Sequence, residues 1–257
     1  MGSRFVVCYN VWLMDRIAAE EFAGLYARFQ APLAELDCGQ RCASYNEGGA
    51  PFCCDTRHAV PAAYQAEWKY LQANTDLWHL WEGRTMAETE QLEALAPEGQ
   101  VLIACLGYQL CQRDFRSLTC RAFPFFPYLT RQGQFIGLSV YWEYEECCWV
   151  INNLQVVSRT FREEFIQTFD QLFARLPEEL EVFRQFSARM RRVFGKRHST
   201  IPLLHRNGGF YKVSPRDGRR RRTSPEKFRK YGPYKIAAQL PFPDELGLGD
   251  IEIGGAG

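Results

Sequence analysis

Histidine is scarce in this chain: His58, His79, His198 and His205 are the four among 257 residues. A phosphate-cradling Gly-x-x-x-x-Gly-Lys-Ser/Thr is missing, as is Gly-x-Gly-x-x-Gly, so nothing supports a nucleotide-phosphate loop. No Gly-x-Ser-x-Gly elbow is present either, which removes the strained serine nucleophile of that hydrolase class. No apolar stretch approaches the ~18 residues needed to span a bilayer. The apolar run from Phe5 to Met14 is interrupted by Asn10, followed at once by Asp15, and lacks a small-residue cleavage site, so no secretory signal is expected. These absences predict a soluble, cytoplasmic protein whose thiols stay reduced.

What the chain has in quantity is cysteine, ten residues in all. Cys8 stands alone. The other nine are Cys38 and Cys42, the adjacent pair Cys53 and Cys54, then Cys105, Cys111 and Cys120, and the adjacent pair Cys147 and Cys148. A disulfide framework suits small secreted domains with weak cores. A chain of 257 residues is long enough to bury a full core without staples. Neighbouring cysteines rarely bridge to each other, because the ring strains the peptide between them. Grouped thiols with short gaps point instead to sulfur gathered around a metal. Four thiolates suit zinc or a four-iron cluster equally, and the surplus leaves room for a cluster, two zincs or structural thiols. His58, four residues after Cys54, is a further candidate ligand or a solvated loop histidine. Cys147 and Cys148 beside Trp149 read either as ligands or as buried thiols.

Net charge is only +1, but residues 189 to 235 carry sixteen Lys and Arg against Asp217 and Glu226. Arg219 to Arg222 are consecutive, with Pro215, Gly218 and Pro225 around them, which predicts a solvated loop or disordered segment. Such a run suits an acidic partner or protein substrate, or offsets the acidity of the rest of the chain; no nucleic-acid motif accompanies it.

Along the chain, Phe5 to Leu13 reads as a strand and Asp15 as the cap of a helix through Phe22, Leu25 and Phe29. The glycine- and proline-bearing stretch from Cys38 to Cys54 reads as loop. Pro61 opens a second helix through Trp68 and Leu71 toward Trp78 and Trp81. Thr85 with Glu88 has capping-box spacing for a third, which Leu95 continues to Pro97. Val101 to Leu106 and Phe135 to Trp142 read as strands. Ser158 caps a helix with Phe161, Phe165, Phe169, Leu172 and Phe173 on one face, and Pro177 starts another with Phe183, Met190 and Val193. A short hairpin is expected around Asn207-Gly208-Gly209, and a glycine-rich, frayed end from Gly247. Together these predict an α+β, mostly α-helical fold with a cysteine-rich metal-binding centre built from loops. The division is a cysteine-cluster domain over 1–195 and a basic, largely irregular extension over 196–257.

The block Cys111-Gln-Arg-Asp-Phe-Arg-Ser-Leu-Thr-Cys120-Arg121-Ala122-Phe123-Pro124 resembles the “C-x-x-Y-x-x-R-P-x-x-C-R-x-F-P” of the YkgJ-type cysteine-cluster family. Cys38, Cys42, Cys53 and Cys54 match in order the family's upstream “C-x-x-C-x-x-C-C”, and Cys105 the cysteine before the second block. The resemblance covers roughly residues 35 to 150. Here the gap from Cys42 to Cys53 is longer than the family's, Ser117 stands in place of the proline, and Phe115 lies near the tyrosine position. The family is described as zinc- or iron-chelating, and flagellin lysine N-methylases share the domain. The resemblance therefore implies a metal-binding protein or an iron–sulfur-dependent protein-modifying enzyme, with Cys38, Cys42, Cys53, Cys54, Cys105, Cys111 and Cys120 as the ligand candidates; Cys147 and Cys148 join the candidates on their pairing in sequence alone. Arg113, Arg116 and Arg121 lie beside them in sequence, where cations lower a thiol pKa.

Overall fold

Phe22, Leu25 and Tyr26 recur at helical spacing, and in the computed structural model they are buried by α1 (Ala19–Arg28). The structure describes residues 17–94, 96 and 99–237; the strand expected over Phe5 to Leu13, Cys8, the Asp15 cap, Leu95, Pro97 and the end from Gly247 lie outside them. Ala18 caps α1 with backbone alone, its N–H donating to Glu21 Oε2 at 2.9 Å. The cysteine-bearing stretch follows as α2 (Cys38–Ala43) and a 3-10 turn over Phe52–Cys54.

After Pro61 the chain runs extended as β1 (Ala62–Tyr64), and the helix begins only at α3 (Gln65–Asn74). The Pro61 carbonyl accepts the Ile103 N–H at 2.9 Å, which continues the strand pairing and holds the chain out of helix. Trp78 is not helical either: it opens β2 (Trp78–Leu80). Both short strands flank β3 (Gln100–Cys105) in a three-stranded antiparallel sheet ordered β1-β3-β2. Thr85 caps α4 (Met86–Glu93) as its spacing predicts, accepting from the Glu88 N–H at 3.1 Å.

A second antiparallel sheet holds the larger core. Its order is β4-β5-β6-β7-β8, sequential throughout. The short α5 (Leu118–Ala122) leads into β4 (Phe125–Leu129), which pairs with β5 (Phe135–Val140); every residue of both strands is buried. Next come α6 (Arg159–Arg175), capped by Ser158, and α7 (Pro177–Lys196), with its proline in the first turn. Phe161, Phe165, Phe169, Leu172 and Phe173 of α6 pack with Met190 and Phe194 of α7 against this sheet. Fully burying side chains of this size contributes roughly 1.5–3 kcal/mol each.

Two expectations are corrected here. The fold is α+β with 44 % helix and 17 % strand in two antiparallel sheets, and the metal-binding centre built from loops is not found among the described residues. Nor is the chain after Lys196 irregular as far as Thr223. It forms β6 (Ile201–His205), β7 (Phe210–Val213) and β8 (Arg220–Thr223), and β6 pairs directly with β5. The hairpin at Asn207 to Gly209 is present between β6 and β7, with Gly208 at φ +83°. Arg220 to Arg222, read from sequence as loop, lie in the edge strand. Pro215 and Gly218 make the turn before it, where the Gly218 N–H donates to the Ser214 carbonyl at 3.0 Å. Charge on an edge strand discourages pairing with other chains, so a strand that reads as a charged loop is physically consistent. Beyond β8, α8 (Tyr234–Ala237) closes the described chain. No helix among the described residues is long and apolar enough to cross a membrane.

Candidate thiol site

Nine cysteines from six separate segments are drawn together. Cys38 and Cys42 are one helical turn apart on α2, so they share a face. Asp37 caps that helix, accepting from the Gly39 N–H at 2.9 Å. Cys53 and Cys54 occupy the 3-10 turn with their sulfurs 3.9 Å apart. Cys105 ends β3 and Cys111 ends the next short turn. Cys120 lies inside α5, whose cap is the Ser117 hydroxyl accepting from the Cys120 N–H at 3.3 Å. Cys147 and Cys148 follow the turn over Trp142–Tyr144. All nine are free thiols.

Their electrostatics link them into one network. Burial, with the nearby charges of Cys42 and Asp37, pushes Cys38 up to about 11. Burial also raises Cys42 and Cys105, each further raised by Cys54. Cys120 is pushed up to about 12 by burial, with Cys54 and Cys105 adding to it. Cys147 rises to about 11 through burial and Cys42, and Cys148 rises further through burial, Cys38 and Cys42. The contact between the two adjacent thiols raises Cys53 and lowers Cys54 to about 7, with Arg116 helping to lower Cys54.

Arg116 is the cation of this site. Its Nε donates to Cys111 Sγ at 3.1 Å, and it acts on Cys38, Cys54 and Cys120. Burial pulls its pKa down, but Cys111, Cys120 and Cys54 outweigh that and raise it. Arg121 does different work. It is buried over the Tyr26 ring, 4.3 Å from the centroid, and donates to the carbonyls of Phe29, Arg116 and Asp114. It thereby fastens the Cys111–Cys120 connection to α1. None of the three arginines pairs with Glu143, Glu145 or Glu146; Glu145 instead accepts from Arg197 at 2.7 Å.

Thiolate sulfur is a soft donor, and burial disfavours the thiolate here unless a cation is supplied. The placement is not yet that of a metal site: among the described residues no three His, Cys, Asp or Glu are positioned to hold a metal ion. The physical reason lies in local bonding. Cys42 Sγ is turned to its own helix, 3.5 Å from the Gly39 carbonyl, and Cys147 Sγ lies 3.6 Å from the Tyr144 carbonyl. Cys38, Cys42, Cys53, Cys54 and Cys120 sit on short helical pieces, not on a loop curled around a centre, and Cys42 and Cys147 are bonded to carbonyls of their own turns. His58 is committed elsewhere, with Nε2 3.1 Å from Asn46 Oδ1.

Sequence reading missed the residues that frame the thiols. Asn46 donates to the Ala50 carbonyl at 2.9 Å and to Asp55 at 3.0 Å, tying the stretch between Cys42 and Cys53. Arg57 extends this by bonding Asp55 and the Glu47 carbonyl. Tyr144 donates to the His58 carbonyl at 2.8 Å, and Tyr234 of α8 to the Cys147 carbonyl at 2.9 Å. Glu67 is fully buried and accepts from the Tyr26 hydroxyl and the Leu118 N–H, both at 2.6 Å, at the start of the helix that carries Cys120. A glutamate three residues into a helix is an ordinary capping signal, and nothing in the sequence marks this one as buried. The chain matches no protein-family model, no curated protein and no solved structure.

Proposed function

We propose that this chain is a metal-binding cysteine-cluster protein of the YkgJ type that takes up zinc or an iron–sulfur cluster. The observation that carries this reading is the electrostatic network linking nine thiols from six segments, with Arg116 acting on Cys38, Cys54, Cys111 and Cys120. A purely structural set of buried cysteines has no need to converge. Cys38, Cys42, Cys53, Cys54, Cys105, Cys111, Cys120, Cys147 and Cys148 are the residues that would hold the group. Bound positive charge would supply what burial withholds, stabilising thiolates across the network. Arg116 offsets the excess negative charge of such a set, and Cys54, already the most acidic of the perturbed thiols, is the first to engage. Taking up the group would release the thiol protons of Cys42 and Cys147 and with them the hydrogen bonds to the Gly39 and Tyr144 carbonyls, freeing both sulfurs as thiolate donors. A reducing compartment, the cytoplasm, keeps the thiols available.

The test is anaerobic purification followed by absorbance, iron, zinc and sulfide analysis. Expected is bound metal that falls sharply in Cys54→Ser and Cys120→Ser variants of unchanged far-ultraviolet circular dichroism. A broad band near ~400 nm identifies iron–sulfur and a colourless zinc-bearing sample identifies zinc. Metal-free protein that also refuses both metals on reconstitution under reducing conditions overturns the reading.

The exposed arginines of β8 support a second element of the proposal, docking of an acidic partner along this edge strand. Capture of an acidic peptide should weaken in an Arg220, Arg221, Arg222→Ser variant and fade with salt, since exposed charges are screened within about 10 Å at 0.1 M. Capture that is indifferent to both would remove the docking role.

A further inference from the structure

Four arginines line an open cleft of about 470 Å³ on the larger sheet's side of the molecule: Arg131, Arg184, Arg191 and Arg192, with Ala188 and Pro215 completing the wall. Residues 184, 188 and 191 or 192 follow one another on α7 at three- or four-residue spacing, so all four lie toward one side of the helix. Arg131 comes from the turn between β4 and β5, and Pro215 from the turn between β7 and β8. Helix and turns thus converge cations that are far apart in sequence.

How these cations are held decides what they are for. Arg191 is buried, and its Nη1 donates to the Leu129 carbonyl at 2.7 Å and the Tyr128 hydroxyl at 3.4 Å. Arg131 Nη2 donates to the carbonyls of Pro215 at 3.3 Å and Arg216 at 2.5 Å. Neutral acceptors therefore fix both guanidinium groups without cancelling their charge. Arg184 alone meets a carboxylate, Glu181, at 2.6 Å. Arg192 is exposed and makes no ion pair or hydrogen bond among the described residues. One carboxylate thus stands against four cations, three of them held in place by hydrogen bonds, in a cleft of the size that holds small ligands.

We propose that this cleft binds an oligophosphate group. Planar guanidinium forks match phosphate oxygens two at a time, and several forks converging from different elements suit a chain of phosphates better than a single anion. Among the described residues Ala188 and Pro215 are the only apolar ones lining the cleft, so these walls offer no aromatic platform and recognition falls on the phosphates themselves. The inference uses none of the thiols and is independent of the metal reading.

The experiment is calorimetric titration of the full chain with tripolyphosphate and with ATP at low salt and at about 0.2 M salt. Expected is one saturable site per chain, weakened at least about tenfold by Arg192→Gln and by Arg131→Gln, each loss being that of charged hydrogen bonds. Arg84→Gln, far along the chain on the α4 side and paired with Glu88, should bind as the parent does. Because Arg192 makes no bonds among the described residues, its variant should keep the parent melting temperature, so that lost binding is not lost folding. Equal affinity for both ligands identifies a free oligophosphate as the ligand, whereas markedly tighter ATP identifies a nucleotide. No saturable binding of either ligand, or equal weakening in Arg84→Gln, overturns the proposal.

Discussion

The larger sheet with α6 and α7 and the thiol-bearing stretch from Cys38 to His58 hold their shapes by different means. In the first, phenylalanines of α6 stack through the core, Phe165 and Phe169 lying 4.5 Å apart at their centroids, and β4 and β5 bury every residue. In the second, only Cys42, Asn46 and Pro51 of residues 38 to 58 are buried, and the shape comes from Asn46, Asp55, Arg57 and His58 bonding one another. Apolar packing is indifferent to reduction or to metal. A stretch held by polar bonds and surrounded by half-buried thiols can exchange one set of contacts for another. The lesson is that the region with the weaker core is the one where the chemistry is concentrated, as expected where ligand binding contributes to local order.

Four variants probe this contrast. Phe165→Ala should have the largest effect, destabilising the whole fold by about 3–5 kcal/mol through a core cavity, measured as a lowered denaturant midpoint; a loss below about 1 kcal/mol would mean that the aromatic stack is not the main support. Glu67→Leu follows, at about 1.5–3 kcal/mol, the range for hydrogen bonds to a charged group. It strands the Tyr26 hydroxyl and the Leu118 N–H, so alkylation of Cys120 should also accelerate. Unchanged Cys120 reactivity would separate Glu67 from the thiol site. Asn46→Ala should cost only about 1 kcal/mol globally while hydrogen exchange rises over residues 43 to 58 and stays fixed in α6. Exchange rising equally in both would erase the distinction between the two regions. Replacing Arg220, Arg221 and Arg222 with Ser should be smallest, each within ~0.5 kcal/mol, as for surface sites. A large loss of folding would place these arginines among the supports of the sheet.

The sequence made the apolar frame readable because its signals are local. Ser158 and Thr85 announce their helices by capping, Pro177 sits where a first turn tolerates it, and the α6 phenylalanines repeat at helical spacing. The short strands β1 and β2 escaped because three residues carry too little pattern to compete with the helical spacing around Pro61 and Trp78. The strand at Arg220 escaped because charge and turn formers outweigh any propensity, while its pairing to β7 is a tertiary fact. For the thiols, the segments grouped in sequence act on one another electrostatically in the fold, yet among the described residues no three are placed to hold a metal. Which way each sulfur points was not legible, since Cys42 and Cys147 are turned by backbone carbonyls of their own turns. The framing bonds of Asn46, Tyr144 and Tyr234 join residues whose partners only the fold brings near.

Metal bound by the thiols is expected to order one region and leave the other alone. Hydrogen exchange of the anaerobically purified protein, before and after a strong chelator, tests this most directly. The expected result is faster exchange over residues 38 to 58 and 105 to 120 on chelation, with α6 and β5 unchanged. Exchange that rises together in both regions, or in neither, would contradict it.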